Sequence, residues 1–504
     1  MRLAALIAGA ELARVTGDLD VEISGVAYDS RRVNAGDLFF ATAHELAAAQ
    51  SHSREALNRG ARAVVVRGWD AAAARSAATI IECARPRQLM GVAASRFFGA
   101  PSRDLELIGV TGTSGKTTTT YLLKAIFEAA GRRAAIIGTI GIFSGERKLY
   151  SGLTTPEAID FERALAAMKD ERVRAVAAEV SSIGLAEGRI EELSFRAALF
   201  TNLGRDHLDY HHSAANYFAA KLRLFTEILP RSSHPEPVAV VNGDDPYGAA
   251  VLNAAPTAKM SFGLGHGRDV RALEAKLDAG GIHATLEARG RRFEIDSPLL
   301  GEINLRNILG AVAVSMALGI ETAAVVEGVR KCLGAPGRLE AVAGPPGVKV
   351  LVDYAHKPDA LAAVLETLRA LGPRRLLCVF GCGGDRDRGK RPIMGEIAGR
   401  LADLTILTSD NPRSEAPLRI MAEIEGGLAA AALNRIAEAA ARTSAGYVFE
   451  PDRREAIAIA LRLAAPGDIV VIAGKGHEDY QLVGNRRLAF DDRAVVRELT
   501  AARN

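Results

Sequence analysis

Cysteine is scarce in this chain, as are aromatic residues, long apolar runs and blocks of one charge. The four cysteines among 504 residues (Cys83, Cys332, Cys378, Cys382) are scattered. The one close pair, Cys378 and Cys382, straddles a glycine-rich strand end and has no second pair to complete a metal site. A disulfide framework and a zinc centre are therefore excluded, and a reducing cytoplasm is the expected setting. The net charge is only +3 and no long basic stretch occurs, which argues against nucleic-acid binding, so any anionic ligand must be held by local sites. No run of about eighteen apolar residues exists to span a membrane. The opening MRLAALIAGAELARV carries one early arginine and a short apolar stretch, and a strand and turn follow it. It is read as an N-terminal helix rather than a signal peptide.

The chain is rich in small and aliphatic residues: hydrophobic residues make up 48% and charged ones 24%, the profile of a soluble α/β protein. Its length suggests three domains. The stretch 1–98 alternates short strands (VEISGVAYDS, ARAVVVRG) with a helix (SREALNRGA), and Gly99 to Ser102 reads as a linker. From 99 to 335, the buried-strand signals LELIGVTG, AAIIGTIG, VRAVAAEVSS, FRAALFTNL and PVAVVNGDD alternate with helical stretches such as PEAIDFERALAAMKDE and NYFAAKLRLFTEIL. That is the pattern of a doubly wound parallel sheet. A second linker falls near GAPGRLEAVAGPPG. Beyond it, from 336 to 504, VKVLVDYAH, RRLLCVFGCGG, LTILTSD, GYVFEPD and DIVVIAGKG alternate with helices in a Rossmann-like domain.

The strongest chemical signal is Thr111, Gly112, Thr113, Ser114, Gly115, Lys116 and Thr117, placed between a strand and a helix. Glycines let backbone N–H groups close on phosphate oxygens, Lys116 neutralises the outer phosphates, Thr117 suits Mg²⁺, and the helix N-terminus adds its positive end. Two residues separate the glycines where the usual P-loop has four, so the strand-to-helix context carries the nucleoside-triphosphate reading.

TGTSGKTTTT is followed in order by TTPE, EVSS, TNLGRDHLDYH, AAKLRLF, NGDD, GEINLRN, GRLE, DYAHKPDAL, GCGGDRDRGKRP, DNPR and GKGHEDYQ. This series resembles the Mur ligases over nearly the whole chain, and most of all those that add the third residue of the cell-wall peptide. The resemblance implies an N-terminal domain for the UDP part of the substrate, a central P-loop ATPase domain, and a C-terminal domain that closes over ATP and brings the amino acid. It also implies a reaction in which the D-Glu side-chain carboxylate attacks the γ-phosphate of ATP, forming an acyl phosphate that an amine then displaces. Phosphate supplies the leaving group that a carboxylate lacks.

The same resemblance assigns residues. Lys116, Glu179, His207 and Lys221 are the catalytic set. Thr117 and Glu179 would hold one Mg²⁺, and His207 with Lys221 would serve a second after Lys221 is carbamylated to N6-carboxylysine, which turns a cation into an oxygen ligand. Read alone, Lys221 is a solvated residue on an amphipathic helix; TNLGRDHLDYH upstream is what changes that reading. Asn304, Asn307, Arg338 and Asp353 join the phosphate loop around ATP, although singly they are also cap and turn residues. Ser30, His44, Thr154, Thr155, Ser181, Glu187 and Arg189 would meet the UDP-muramoyl peptide. Arg386, Asp410, Asn411, Pro412, Arg413, Gly474 and Glu478 match the acceptor site of members that add meso-diaminopimelate. There Arg413 would grip the distal carboxylate and Glu478 the distal ammonium. Lysine lacks that carboxylate and would leave a guanidinium unpaired, at a cost of about 1–3 kcal/mol or more.

Several positions depart from the family pattern. Ile183 follows the SS pair where histidine is common, Glu187 stands where glutamine is common, Ser114 where asparagine is, and AAAQSHS follows His44. Ser114 is expected to be harmless because that loop binds through its backbone. Glu187 adds a negative charge beside a substrate with carboxylates, which requires a compensating cation. The expected partners are UDP-N-acetylmuramoyl-L-Ala-D-Glu, meso-diaminopimelate, ATP and Mg²⁺, with a monomer as the working unit. A lysine-adding or D-Ala-D-Ala-adding ligase, a folylpolyglutamate synthase, and a P-loop module without ligase activity remain alternatives, separated from the first reading by DNPR and GKGHEDYQ.

Overall fold

The computed structural model describes residues 1–70, 78–144, 147–150 and 152–502. It divides into two compact units, one formed by 1–271, 287–291 and 309–328 and the other by 272–286, 292–308 and 329–504.

The first unit contains two sheets. In the N-terminal one, Gly25–Ala27, Asp37–Phe40, Ala63–Val66 and Thr79–Glu82 run parallel, and Arg14–Thr16 pairs antiparallel at the Thr79–Glu82 edge. Helix Leu46–Asn58 covers one face with Ala49 and Ala56. Helix Pro86–Phe97 covers the other with Leu89, Met90, Ala93 and Ala94, and this core continues into Ala158 and Ile159. The helix expected at the N-terminus is a single turn, Leu3–Leu6; Gly9 at φ 73° follows it, a conformation that ends helices. The GAPS linker forms one 3₁₀ turn, Pro101–Arg103.

The central sheet orders its parallel strands Ala258–Gly263, Val238–Asn242, Ala197–Phe200, Glu106–Thr111, Ala175–Glu179 and Ala134–Gly138, edged by antiparallel Gly141–Ser144 and Arg147–Tyr150. The inner strands are buried apart from Glu106 at the start of one, as β-branched and alanine runs with helices on both faces should be. Chain connections leave Glu106–Thr111 and Ala197–Phe200 in opposite directions, so the order reverses between these two neighbours. Ligands of doubly wound sheets bind in the crevice at such a point, outside the carboxyl ends of the strands. Strands Val270–Asp278, Gly281–Ala288 and Arg291–Ser297 continue the order, and the boundary between the units runs through them. They carry no expected counterpart from sequence. The helix read over NYFAAKLRLFTEIL is α-helical only for Ala214–Arg223, then widens into a π turn, Leu224–Ile228, and tightens at Leu229–Arg231. Pro230 removes a backbone donor there and breaks the regular ladder.

The second unit has a six-stranded sheet ordered Glu340–Val342, Lys349–Asp353, Ile469–Ala473, Leu376–Phe380, Leu404–Leu407 and Tyr447–Phe449, parallel except for the first pair. Glu340–Val342 lies inside the stretch read as a linker. Helices Pro358–Ala370, Lys390–Leu401 and Pro417–Ala430 pack on one face, and Arg453–Leu463 with Asp492–Ala501 on the other. Arg453 is a fully buried charge of this unit. Its guanidinium is paired bidentately with Asp492 at 2.8 and 2.7 Å, both side chains wholly out of solvent. It also donates to the carbonyls of Ala473 at 3.1 Å and Ser409 at 3.4 Å, so it joins the carboxyl ends of two strands. Removing Asp492 leaves an uncompensated buried cation. We expect Asp492→Ala to destabilise this unit by about 3–5 kcal/mol, read as a lower urea midpoint; a loss under about 1 kcal/mol would show that the pair is dispensable.

Candidate active site

In the first unit the phosphate loop leaves Glu106–Thr111 and enters helix Lys116–Ala129, whose first turn, Thr117 to Thr120, is buried. Gly112 has φ 147°, and a Cβ there would lie 1.9 Å from Thr201 Oγ1, so no other residue fits this position without displacing the neighbouring strand end. The loop is strapped to that strand end. Thr113 N–H donates to the Asn202 carbonyl and Ser114 N–H to Asn202 Oδ1, each at 2.9 Å, while Thr201 Oγ1 and Asn202 Nδ2 donate back to the Ser114 carbonyl at 2.7 and 3.1 Å. The Ser114 backbone makes these bonds. An anion is therefore met by the first helical turn, whose N–H groups lack intrahelical partners, and by Lys116, more than by the Thr113 and Ser114 amides.

Lys116 Nζ donates to the carbonyls of Gly112 and Thr113 at 2.8 and 3.0 Å. Lys221 Nζ donates to the same Gly112 carbonyl at 2.9 Å and lies 4.6 Å from the centre of the Tyr217 ring. Lys221 is only 1% exposed. Burial, reinforced by the neighbouring Lys116 charge, holds its ammonium well below the usual lysine range, with Asp206 opposing. His207 sits at φ 52° at the start of the one-turn helix Leu208–His211, its ring near Asp206 and edge-on to Tyr217 at 6.3 Å. His207 and Lys221 thus flank one tyrosine, whose hydroxyl is 3.0 Å from Thr113 Oγ1.

Glu179 ends the neighbouring strand, 1% exposed. Its two oxygens accept from Thr139 N–H at 2.9 Å and Thr139 Oγ1 at 3.0 Å, and that hydroxyl meets Thr154 Oγ1 at 3.0 Å. Thr155 Oγ1 donates to the Glu179 carbonyl and accepts from Ser181 N–H, both at 2.9 Å; Ser181 Oγ caps Gly184 N–H at 3.0 Å. Arg189 Nη1 donates to the Thr155 carbonyl at 3.0 Å. Thr154, Thr155, Ser181, Glu187 and Arg189 are thereby gathered beside Glu179. The cation that Glu187 requires is present twice: Arg87 pairs directly with it, Arg189 Nη2 lies at 3.5 Å, and Tyr210 donates to it at 3.2 Å. Ser30 and His44 are elsewhere, on the N-terminal sheet. Ser30 Oγ donates to Glu55 at 2.6 Å while Asp29 makes the turn contact, and His44 is exposed in the loop after Asp37–Phe40.

The oxygen donors Thr117 and Glu179 suit a hard cation. Among the described residues no three His, Cys, Asp or Glu side chains converge as a metal site, so a divalent ion here would depend on these oxygens, on phosphate, and on a carbamate at Lys221.

In the second unit, the loops GCGGDRDRGKRP, DNPR and GKGHEDYQ follow three adjacent parallel strands and interlock. Asn411 Nδ2 donates to Glu478 Oε2 at 2.8 Å, its Oδ1 accepts from Leu482 N–H at 2.9 Å, and its carbonyl accepts from Gly384 N–H at 2.9 Å. Pro412 caps this turn, its carbonyl 1.9 Å from where a Cβ on Gly384 would stand. Gly474, at φ 115°, lies against Asp410, where a Cβ would meet Oδ2 at 2.5 Å. Arg413, at φ 52°, sends Nη1 to the Gly384 carbonyl at 2.8 Å. Arg386 is exposed in the first of these loops and donates to the Asp385 carbonyl. Lys475 was not anticipated. It is wholly buried, 3.2 Å from Glu478 Oε2 and 3.3 Å from Asn411 Oδ1, so half of the Glu478 carboxylate is committed before any ligand arrives. Its signal in sequence is only a lysine between two glycines. Arg391, also wholly buried, holds Glu415 bidentately at 2.7 and 3.0 Å and Glu423 at 2.7 Å, tying the first loop to the second.

The nucleotide candidates of this unit form two groups. Asn307 Nδ2 donates to Asn304 Oδ1 at 3.1 Å, and Asn304 Nδ2 to the Leu300 carbonyl at 2.9 Å. Asp353 accepts from the N–H groups of Leu339 and Ala355 at 2.8 and 2.7 Å, burial raising its carboxyl against the pull of Arg338. Arg338 stacks 5.0 Å above the Tyr354 ring, with a buried Nε that meets no acceptor.

Residues 110–315 match the Mur ligase middle domain and residues 337–476 the Mur ligase glutamate ligase domain. The UDP-N-acetylmuramoyl-L-alanyl-D-glutamate--2,6-diaminopimelate ligase of Geobacter metallireducens is 43% identical over 493 residues, 96% of each chain.

The chain belongs to the Mur ligase family.

The equivalent protein of Syntrophomonas wolfei is 42% identical to this Mur ligase over 99% of each chain. A solved UDP-N-acetylmuramoyl-L-alanyl-D-glutamate--2,6-diaminopimelate ligase superposes with a TM-score of 0.72 at 33% identity, covering 100% of this chain and 99% of its own. A Mycobacterium tuberculosis folylpolyglutamate synthase complexed with ADP and AMPPCP shares the fold, with a TM-score of 0.60 at 22% identity over 76% of this chain and 91% of its own.

His356, in DYAH, offers a test of the electrostatics. Its Nδ1 is 2.8 Å from the Tyr354 carbonyl, and burial with nearby Lys390 and Lys357 lowers its pKa to about 4. The unfolded chain therefore takes up this proton first as pH falls. The histidine's contribution to stability is complete above about pH 6.5 and is lost progressively toward pH 4. We expect His356→Gln to flatten the stability profile across that window in urea titrations; an unchanged profile would show that the ring titrates normally.

Proposed function

We propose that this Mur ligase joins meso-diaminopimelate to the D-Glu side-chain carboxylate of UDP-N-acetylmuramoyl-L-Ala-D-Glu, with ATP cleaved to ADP and phosphate through an acyl-phosphate intermediate. The observation that carries the reading is the interlocked DNPR and GKGHEDYQ loops, supported by relatives at 42–43% identity that bear that ligase name. The division of labour follows 1–98 for the UDP-linked substrate, 99–335 for ATP, and 336–504 for the amino acid, and the reaction belongs in the cytoplasm. Among the described residues no helix is long and apolar enough to cross a membrane.

Lys116 and the first turn of helix Lys116–Ala129 hold the β- and γ-phosphates, while Thr154, Thr155 and Ser181 hold the D-Glu end of the substrate beside Glu179. Asn304, Asn307, Arg338 and Asp353 serve the nucleoside. Thr117 and Glu179 would hold one Mg²⁺, and His207 with carbamylated Lys221 a second; bound there, the ions screen the phosphate charge that otherwise repels an incoming carboxylate. The amine attacks once the acyl phosphate has formed, and phosphate leaves. In the acceptor site Arg413 and Arg386 meet the distal carboxylate, while the free oxygen of Glu478 meets the distal ammonium. Lys475 keeps Glu478 aimed.

Lys221 supports the carbamate by geometry. It is buried, forms no ion pair with a carboxylate among the described residues, and donates to a main-chain carbonyl; an amine in that setting loses its proton readily, and only the free amine attacks CO₂. In ¹³C-bicarbonate, the wild-type protein should show a carbamate resonance that Lys221→Arg lacks, and the variant should lose more than about 99% of kcat. The same spectrum from both proteins would reject the modification. For the acceptor, phosphate release with the UDP-dipeptide and ATP should require meso-diaminopimelate, with L-lysine at least about tenfold poorer in kcat/KM. Equal use of lysine would move this chain to the lysine-adding ligases, and turnover with neither would leave a P-loop protein without this ligase activity.

A further inference from the structure

Two carboxylates and two guanidiniums meet behind the Thr154, Thr155 and Ser181 hydroxyls, and one of the four comes from the N-terminal part of the chain. Arg87 lies in the first turn of helix Pro86–Phe97, which packs along helix Ala158–Asp170. Its Nη1 donates to Glu157 Oε1 at 2.7 Å and pairs with Glu187 Oε2. Arg189 is 9% exposed: Nη1 is on the Thr155 carbonyl, Nη2 faces Glu187, and Nε lies 3.1 Å from Glu157 Oε1 without hydrogen-bond geometry. Glu157 Oε2 is buried and accepts nothing. The charges balance only while Arg87 is present. Without it, two carboxylates share one guanidinium, and the surplus negative charge stands beside the residues that receive a carboxylate-bearing substrate.

Resting on the functional reading above, we propose that Arg87 is a positioning residue for the UDP-linked substrate. It neutralises Glu187 and Glu157, leaves Arg189 to hold the Thr155 carbonyl, and so keeps the hydroxyl face open to an anionic peptide. Its partners span more than one sequence region, so the helix that carries Arg87 links the N-terminal sheet to substrate affinity. Arg189 holds the Thr155 carbonyl in this arrangement.

The test is a double-mutant cycle in full-length protein, with KM measured separately for the UDP-dipeptide, ATP and meso-diaminopimelate, and melting temperature recorded for each variant. Arg87→Ala should raise KM for the UDP-dipeptide about tenfold while the ATP KM moves less than about twofold. Arg87→Ala combined with Glu187→Gln should recover most of that loss, because the surplus charge is gone. A structural role alone predicts the opposite, a double variant no better than Arg87→Ala and a lowered melting temperature in both. Unchanged KM in Arg87→Ala, or no recovery in the double variant, overturns the inference alone. Failure of the wild-type protein to turn over the UDP-dipeptide overturns the functional reading and this inference with it.

Discussion

One main-chain carbonyl, that of Gly112, receives two lysines, and the candidate catalytic centre is arranged around that fact. Lys116 and Lys221 approach it at 2.8 and 2.9 Å. Two ammonium groups sharing one acceptor in a buried site repel each other, and Thr201 and Asn202 fix the loop that brings them together. Burial and the neighbouring Lys116 charge together hold the Lys221 ammonium below the usual lysine range.

The second unit solves a similar problem differently. Its buried cations are paired in advance: Arg453 with Asp492, Arg391 with Glu415 and Glu423, and Lys475 with Glu478. Buried pairs contribute little net stability and break at high cost, so their value here is geometric. Arg453 and Arg391 join the ends of different strands or the loops that follow them, and Lys475 reaches across from its own loop to Asn411.

The phosphate loop, the parallel-strand pattern and the DNPR turn were legible because their signals are local. A glycine at φ 147°, a lysine before a threonine-rich helix and an Asn-Pro turn each follow from neighbouring residues. The edge strands after Val270 were not read, since solvent-facing strands with mixed burial give weak periodicity. The π turn at Leu224–Ile228 arises from Pro230, whose effect on the ladder spreads backward beyond its own position. The Ser30 hydroxyl donates to Glu55, a partner that sequence does not announce.

The alternation of parallel strands and helices, the nucleotide loop and the family resemblance were determined by sequence itself, because burial periodicity and loop chemistry act over a few residues. Tertiary structure alone decided what each polar group faces. Asn202 closes on Ser114, Lys475 commits half of Glu478, and Arg87 compensates Glu187 from a hundred residues away in the chain. Charge balance in a buried cluster is a property of positions in space, and the chain brings those positions together only by folding.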